Sequence, residues 1–157
     1  MKAKPPQRSG VVQIGAVRVV IDTNIWISAA LSRDGAPARL VRQVLEHGLP
    51  VFSSGTFAEL ETRLWLPKFD RYLNLKLRGK ILHDRDAAAH WVEVPPEIAV
   101  STHCRDADDD KFIHAALAAG AAWLVSGDRD LLDAPAVPGV RIVSAVEALR
   151  LPEFSTQ

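Results

Sequence analysis

The stretch VRVVIDTNIWISAAL, residues 17–31, joins an apolar run to a helical pattern, and the two meet at an acid. β-Branched residues dominate the first five positions, which predicts a buried strand. Aspartate is seldom fully buried without a partner, so Asp22 at the end of this strand is either a helix cap or part of a site that binds charge. Because Thr23 or Asn24 could cap the helix instead, we favour the second interpretation.

The same alternation of strand and helix continues along the chain. Four further apolar runs predict strands at residues 50–53, 91–94, 122–126 and 140–143. Helical patterns lie between them, at residues 37–48, 55–66, 72–89, 109–120 and 144–151. This order predicts an α/β fold in which helices cover both faces of a central parallel sheet of four or five strands. In sheets of this kind, sites form beyond the carboxyl ends of the strands.

Length and composition limit the class of protein. The 157 residues and the apolar content of 48% are typical of one soluble domain, which we expect to span residues 17–152. Acidic and basic residues number 19 each, so a nucleic-acid partner would need a local basic patch. The single cysteine, Cys104, excludes an internal disulfide and favours a cytoplasmic protein.

We expect both ends of the chain to lie outside this domain. Residues 1–16 begin with MKAKPPQRSG, a basic and proline-rich stretch typical of a flexible tail. A signal peptide is disfavoured, because Arg18 interrupts the apolar run and no small-residue cleavage site follows. No apolar stretch reaches the ~18 residues of a membrane helix. Residues 153–157 are expected to form a short C-terminal tail.

Acids stand at several positions that the fold would bring to one edge of the sheet. Asp22 ends the first strand, and Asp128 follows the fourth. In the helix pattern at residues 109–120, Asp109 falls near the centre of the apolar stripe, whereas Asp110 is about a quarter turn away and is expected to be solvated. Asp106, Ser126 and Asp130 could add polar groups to the same site.

Several acids at one edge would repel one another unless a cation neutralised them. Oxygen ligands suit Mg²⁺ or Mn²⁺ better than Zn²⁺, and such sites typically act on phosphates. A zinc site at His103, Cys104 and His114 is disfavoured by poor spacing and by the lack of a second cysteine. Glu59, taken alone, is most simply a solvated residue that pairs with Arg63.

Four motifs together are similar to those of one family. They are VVIDTNIWISA, SSGTFAELETRLWLPKF, CRDADDDKFIHAALAAGAAWLVSGDRDLL and VRIVSAVEAL, within residues 17–149. The sequence resembles PIN domains, and most of all the PIN-type toxin components of bacterial toxin–antitoxin systems. The resemblance implies a three-layer α/β/α sandwich and an acidic pocket that binds Mg²⁺ or Mn²⁺. It also implies metal-assisted hydrolysis of single-stranded RNA or tRNA.

The resemblance also assigns residues and partners. Matched position by position, it implies four acids that bind metal and serve catalysis: Asp22, Glu59, Asp109 and Asp128. It thus reverses the interpretation of Glu59 as a surface residue. Asn24 and Ser126 match small polar residues of such pockets, and Asp106 also fits the pattern. A homodimer and a cognate antitoxin protein are further expectations from the resemblance.

An RNA substrate would need cations near the pocket, because phosphate contacts dominate affinity. The candidates are Arg33, Arg39, Arg63, Lys68, Arg71, Lys76, Arg78 and Lys80. Each is explained equally well as a solvated charge. Trp26 and Trp65 could stack on bases, although tryptophan in an apolar stripe more often belongs to the core.

A phosphatase of the haloacid-dehalogenase type is disfavoured, because it would need an aspartate where Asn24 stands. Two other functions are left open by the sequence. A non-toxin PIN-type nuclease that processes RNA would share every feature above. A non-catalytic module that binds RNA or protein would require the acids to be structural.

Overall fold

A five-stranded parallel sheet lies at the centre of the computed structural model, which describes residues 16–154. The strands are β1 (Val17–Ile21), β2 (Gly48–Phe52), β3 (His90–Trp91), β4 (Trp123–Val125) and β5 (Arg141–Val143). Their order in the sheet is β3-β2-β1-β4-β5, and all neighbours run parallel. The chain therefore builds outward from β1 in both directions, which places the topological switch point between β1 and β4.

Helices cover both faces of the sheet. The α-helices of the described residues are α1 (Thr23–Leu31), α2 (Ala36–His47), α3 (Ser54–Leu64), α4 (Leu75–Ala88), α5 (Pro96–Ala99), α6 (Asp110–Ala119), α7 (Arg129–Leu132) and α8 (Ala145–Leu149). Three 3-10 turns lie at Pro67–Phe69, Ala107–Asp109 and Pro152–Phe154.

Side chains of β1 alternate between two separate cores, as the period of a strand requires. Val19 and Ile21 pack with the apolar residues of α1, α2, α3 and α8 on one face. Val20 packs with α6 and α7 on the opposite face. All three residues are almost fully buried, which explains why the strand has no polar alternation. The predicted α/β sandwich with helices on both faces is confirmed.

The predicted strands and longer helices are all present, but their lengths differ at the edges of the sheet. The strand expected at residues 91–94 is only the two-residue pair His90–Trp91, because β3 is an edge strand that pairs with β2 alone. The region 72–89 contains a single helix, α4, which spans Leu75–Ala88. The four-residue helices α5 and α7 were not predicted, since they are too short to show a periodic pattern.

The C-terminal boundary of the domain differs from the sequence prediction. The tail expected at residues 1–16 lies outside the described residues except for Ala16. In the segment expected to be a C-terminal tail, Phe154 is buried, and its ring packs edge-on against Trp123 at 5.5 Å between centroids. None of the helices within residues 16–154 has the length and apolar character needed to cross a bilayer.

Replacing Phe154 with alanine should lower the free energy of unfolding by about 3 kcal/mol, because it empties a packed site in the core. Val146→Ala, at a half-exposed position of α8, is the matched control and should change it by less than about 0.5 kcal/mol. Urea unfolding monitored by circular dichroism measures both. Equal stability of the two variants would show that the packing of residue 154 contributes nothing.

Candidate functional site

Asp22 follows the last residue of β1 at the switch point, and its carboxylate is buried. Its backbone amide donates to the carbonyl of Val125 over 2.9 Å, which continues the pairing of β1 with β4. Its Oδ2 accepts a hydrogen bond of 2.7 Å from Ser126 Oγ. The residue occupies the N-cap position of α1 with its carbonyl, while its side chain makes no capping hydrogen bond. The carboxylate is therefore directed to the site and not to the helix.

Ser126 connects the ends of the two central strands. Its fully buried hydroxyl donates to Asp22 and accepts from the backbone amide of Asp128 over 2.9 Å. Asp128 in turn caps α7, since its Oδ1 accepts from the amide of Asp130. One hydroxyl thus fixes the acid that follows β1 and the loop that follows β4.

A second group of acids lies beside this pair. Carboxylate oxygens of Asp106, Asp109 and Asp130 all lie within 4.8 Å of one another. Asp109 is half-buried at the start of α6, and Asp106 is exposed at the start of the preceding 3-10 turn. The group shares Asp109 with the four acids that the resemblance selected, and it adds both secondary acids, Asp106 and Asp130.

The acids raise one another's pKa values. Burial, together with the charges of Asp128, Asp106, Asp22 and Asp130, raises the pKa of Asp109 to about 6. Burial also raises the pKa of Asp22, and the charges of Glu59 and Asp128 act in the same direction. The Ser126 hydroxyl and the backbone amide of Asn24 oppose that shift without cancelling it. The mutual repulsion shows that these carboxylates share one electrostatic site.

Glu59 approaches the site from α3. The helix begins at a capping box in which the Ser53 hydroxyl accepts from the Thr56 amide, so the position of its first turn is well defined. One turn further, Glu59 Oε2 accepts from Thr23 Oγ1 over 2.6 Å. Its Oε1 accepts from Lys111 Nζ over 2.9 Å, whereas Arg63 is more distant at 3.7 Å. The expected pair with Arg63 exists, but Glu59 is a largely buried member of the site.

Lys111 is the residue that the sequence interpretation missed. It follows Asp109 by two positions, and its ammonium group lies 3.1 Å from Asp108 as well as beside Glu59. Burial would lower its pKa, but the two carboxylates outweigh burial and raise it. The only local signal was a single lysine among four aspartates at the start of an apolar helix.

Asp110 corrects one prediction. It was expected to be a solvated neighbour of Asp109, yet it is buried, and its Oδ1 accepts from the backbone amides of His103 and Cys104. The loop before α6 folds back over the helix start and needs an acceptor there. Burial and the same carboxylate raise the pKa of Cys104 to about 12.

The candidate cations divide by position. Arg63 Nη1 donates to Asn24 Oδ1 over 3.4 Å and so lies next to the acids. Arg33, Lys68 and Arg71 are exposed. Arg78 was also a candidate for RNA contact, but its side chain is buried and paired with Asp70 over 3.0 Å. It is therefore not available to a substrate.

The two tryptophans considered for base stacking also differ in exposure. Trp26 is 4% exposed and stacks on Phe52 at 5.5 Å between centroids, so it belongs to the core. Trp65 is 40% exposed at the end of α3. Only the second ring can meet a base.

The acids suit a hard divalent cation. Each donor is a carboxylate oxygen, which Mg²⁺ and Mn²⁺ prefer. Burial raises the pKa of Asp109, and the charges of the neighbouring acids act in the same direction, so its ionised form would gain from a nearby cation. Carboxylate oxygens of Asp106, Asp109 and Asp130 lie close together. The charges of Asp22 and Asp128 also act on Asp109.

Known proteins resemble this chain in sequence. A family model described as PIN domain matches residues 18–130. The uncharacterized protein MJ1680 of Methanocaldococcus jannaschii is 32% identical over 118 residues, which make up 74% of this chain and 74% of that protein.

Solved structures share the fold at low sequence identity. VapBC2 from Rickettsia felis, in a crystal structure with a DNA fragment from its promoter, aligns with a TM-score of 0.56 and 12% identity. The alignment covers 82% of this chain and 98% of that chain. PAE2754 from Pyrobaculum aerophilum aligns with a TM-score of 0.52 and 19% identity, over 82% and 90% of the two chains.

Asp109→Asn should raise the melting temperature at pH 7.5 in EDTA. The folded-state pKa of Asp109, about 6, lies above its ordinary value of 3.8. The stabilisation linked to its proton is therefore full below pH 3.8 and is lost as the pH rises through about 6. Asparagine at position 109 cannot ionise, so it removes the free-energy cost of a buried carboxylate charge in the folded state. Differential scanning calorimetry should show a gain at pH 7.5 and a smaller one at pH 4.5. The exposed control Asp34→Asn should show neither, and a lower melting temperature for Asp109→Asn at pH 7.5 would contradict the electrostatic account.

Proposed function

Because this chain belongs to the PIN domain family, whose members are generally nucleases, we propose that it is a ribonuclease that depends on Mg²⁺ or Mn²⁺ and hydrolyses single-stranded RNA. The observation that carries the proposal is the convergence of acids at the switch point of the sheet. Asp22, Asp109 and Asp128 come from three separate segments and still interact electrostatically. A fold keeps such a costly arrangement at a site where charge is bound.

The oxygens of Asp106, Asp109 and Asp130 would hold a divalent ion, with Asp22 and Asp128 beside it. When bound, the ion would supply a water molecule of lowered pKa and compensation for the charge that develops on the phosphate. The protein needs no serine, cysteine or histidine nucleophile for this reaction. Its own contribution is the orientation of the carboxylates.

Two hydroxyls carry out that orientation. Ser126 donates to Asp22, and Thr23 donates to Glu59, so each carboxylate has one oxygen fixed by a short hydrogen bond. Lys111 holds the other oxygen of Glu59. We assign Glu59 the task of orienting the attacking water. Thr23 and Lys111 fix its two oxygens, and each carboxylate oxygen keeps a second lone pair that could accept a hydrogen bond from that water. Thr23, Ser126 and Lys111 are positioning residues in this scheme.

The family and one structural relative support a proposal about the biological context. VapBC2, one of the structures that shares the fold, is by its name a complex of two components. We propose that this chain is the toxin of a toxin–antitoxin pair, is neutralised by a cognate antitoxin protein, and acts as a homodimer. A PIN-type nuclease that processes RNA without toxicity is the alternative.

Asp22→Asn should reduce cleavage of a fluorescent single-stranded RNA by about 100-fold or more, because the site loses its buried charge while the Ser126 contact can persist. The parent should cleave with Mn²⁺ or Mg²⁺ and stop in EDTA. Asp34→Asn, which changes an exposed acid elsewhere, is the matched control. Cleavage by Asp22→Asn at the parent's rate, with an unchanged circular dichroism spectrum, would show that the acidic site is not the active site.

Induced expression of the parent chain in bacteria should arrest growth, and expression of Asp22→Asn to the same level should not. The reason is that a toxin of this class acts by cleaving cellular RNA. Optical density after induction measures the effect, and immunoblotting checks the levels. Normal growth with protein that cleaves RNA in vitro would instead favour the processing nuclease.

A further inference from the structure

The turn between α3 and α4 presents an unusual amount of apolar surface to solvent. We call residues 65–77, the connection between the two helices together with the first three residues of α4, the α3–α4 turn. Its Trp65 is 40% exposed, Tyr72 is 65% exposed and Leu75 is 70% exposed. Leu66 and Leu77 are also exposed. Single exposed apolar residues are normal, but five within thirteen consecutive residues concentrate apolar surface in one segment, as binding surfaces do.

A buried arginine holds the Trp65 ring in place. Arg78 is 1% exposed, and its guanidinium carbon lies 5.6 Å from the centroid of that ring. The same guanidinium donates to Asp70 Oδ1 over 3.0 Å. One side chain thus ties together the end of α3, the turn and the first part of α4. Trp65 therefore combines a ring that is held by a neighbouring guanidinium with 40% exposure to solvent.

The exposed charges of the turn are predominantly positive. Lys68, Arg71 and Lys76 are exposed, and the one acid, Asp70, is already paired with Arg78. The chain as a whole has equal numbers of acids and bases, so this turn is a local excess of positive charge. A second copy of the same surface would be repelled, whereas a polyanion would be attracted.

We propose that the α3–α4 turn is a stacking platform for the bases of single-stranded RNA, with Trp65 and Tyr72 as the rings and the three cations as phosphate contacts. The proposal rests on the proposed ribonuclease function and adds a binding subsite outside the acidic pocket. Exposed aromatic rings among cations bind single strands, because unpaired bases offer their faces. A duplex keeps its bases stacked within the helix and cannot use such rings.

The position of the turn relative to the acids fits one continuous strand of RNA. Trp65 follows Glu59 by six residues along α3, which is about 9 Å at the rise of a helix. Arg63, on the same helix, contacts Asn24 beside the acids. The separation along the helix is therefore short enough for a few nucleotides of single-stranded RNA to reach both the turn and the acidic pocket.

The test measures RNA affinity separately from cleavage. A fluorescein-labelled 12-nucleotide uridine oligomer is titrated with the full chain in EDTA, and anisotropy gives the Kd. Trp65→Ala and Tyr72→Ala should each weaken binding by about five-fold or more, the range expected for one stacked base. Trp65→Phe should retain most of the affinity, whereas Trp65→Leu, which is apolar but has no ring, should not. A 12-base-pair RNA duplex should bind equally to parent and ring variants.

The cations provide a second readout. Lys68→Ala and Arg71→Ala should each reduce the slope of log Kd against log salt by about 0.7, as expected for one phosphate contact on a single strand. Arg150→Ala, which changes an exposed arginine at the end of α8, is the matched control and should leave Kd and slope unchanged. Circular dichroism confirms that each variant is folded.

Unchanged Kd values for Trp65→Ala and Tyr72→Ala would overturn the platform, and so would full retention of affinity by Trp65→Leu. If the ring variants instead dissociate a dimer in sedimentation experiments and keep their RNA affinity, the turn is a protein contact and the platform is wrong. If the parent binds the oligomer through these rings but cleaves no RNA with Mn²⁺ or Mg²⁺, the platform stands and the nuclease proposal fails. If the ring variants bind and cleave RNA as the parent does, the nuclease proposal stands and the platform fails.

Discussion

A hydrogen bond of 2.7 Å between Ser126 and Asp22 joins the ends of the two strands at which the order of the sheet reverses. The same hydroxyl accepts from the backbone of Asp128, so the loop after β4 is built around it. Without this contact, the carboxylate that follows β1 would be buried with little to offset its loss of solvation. This one hydroxyl thus fixes the relative positions of Asp22 and Asp128.

The site combines acids of two kinds. Asp22 and Glu59 are largely buried, and each has a short hydrogen bond to a hydroxyl that holds it in one orientation. Asp106, Asp109 and Asp130 are more accessible and lie close to one another. The buried pair provides fixed orientation, whereas the accessible group provides the concentration of charge that a divalent ion needs. The switch point of the sheet brings both kinds together because several loops meet there.

The sequence allowed the central features to be predicted because they are local. The apolar run of β1 and the acid at its end stand next to each other in the chain, and so do Ser126 and Asp128 after β4. Glu59 was identified only through resemblance to a family, since its partner Lys111 is 52 residues away and the helix pattern around it is ordinary.

The features that were missed depend on tertiary contacts. Asp110 is buried because the loop at residues 101–106 folds back on the start of α6, which periodicity cannot show. Phe154 belongs to the core because the last turn of the chain reaches Trp123. The edge strand β3 is short because it has a neighbour on one side only.

Lys111 has a consequence for how the chain tolerates a largely buried acid. Its ammonium group acts as an internal counter-ion that balances Glu59 and Asp108 from within the chain. The least accessible acid of α3 therefore has its opposite charge supplied by a neighbouring helix. The acids that repel one another, Asp22 and Asp109 among them, lie elsewhere in the site. The α3 side of the site can therefore fold around a charge pair that belongs to the chain itself.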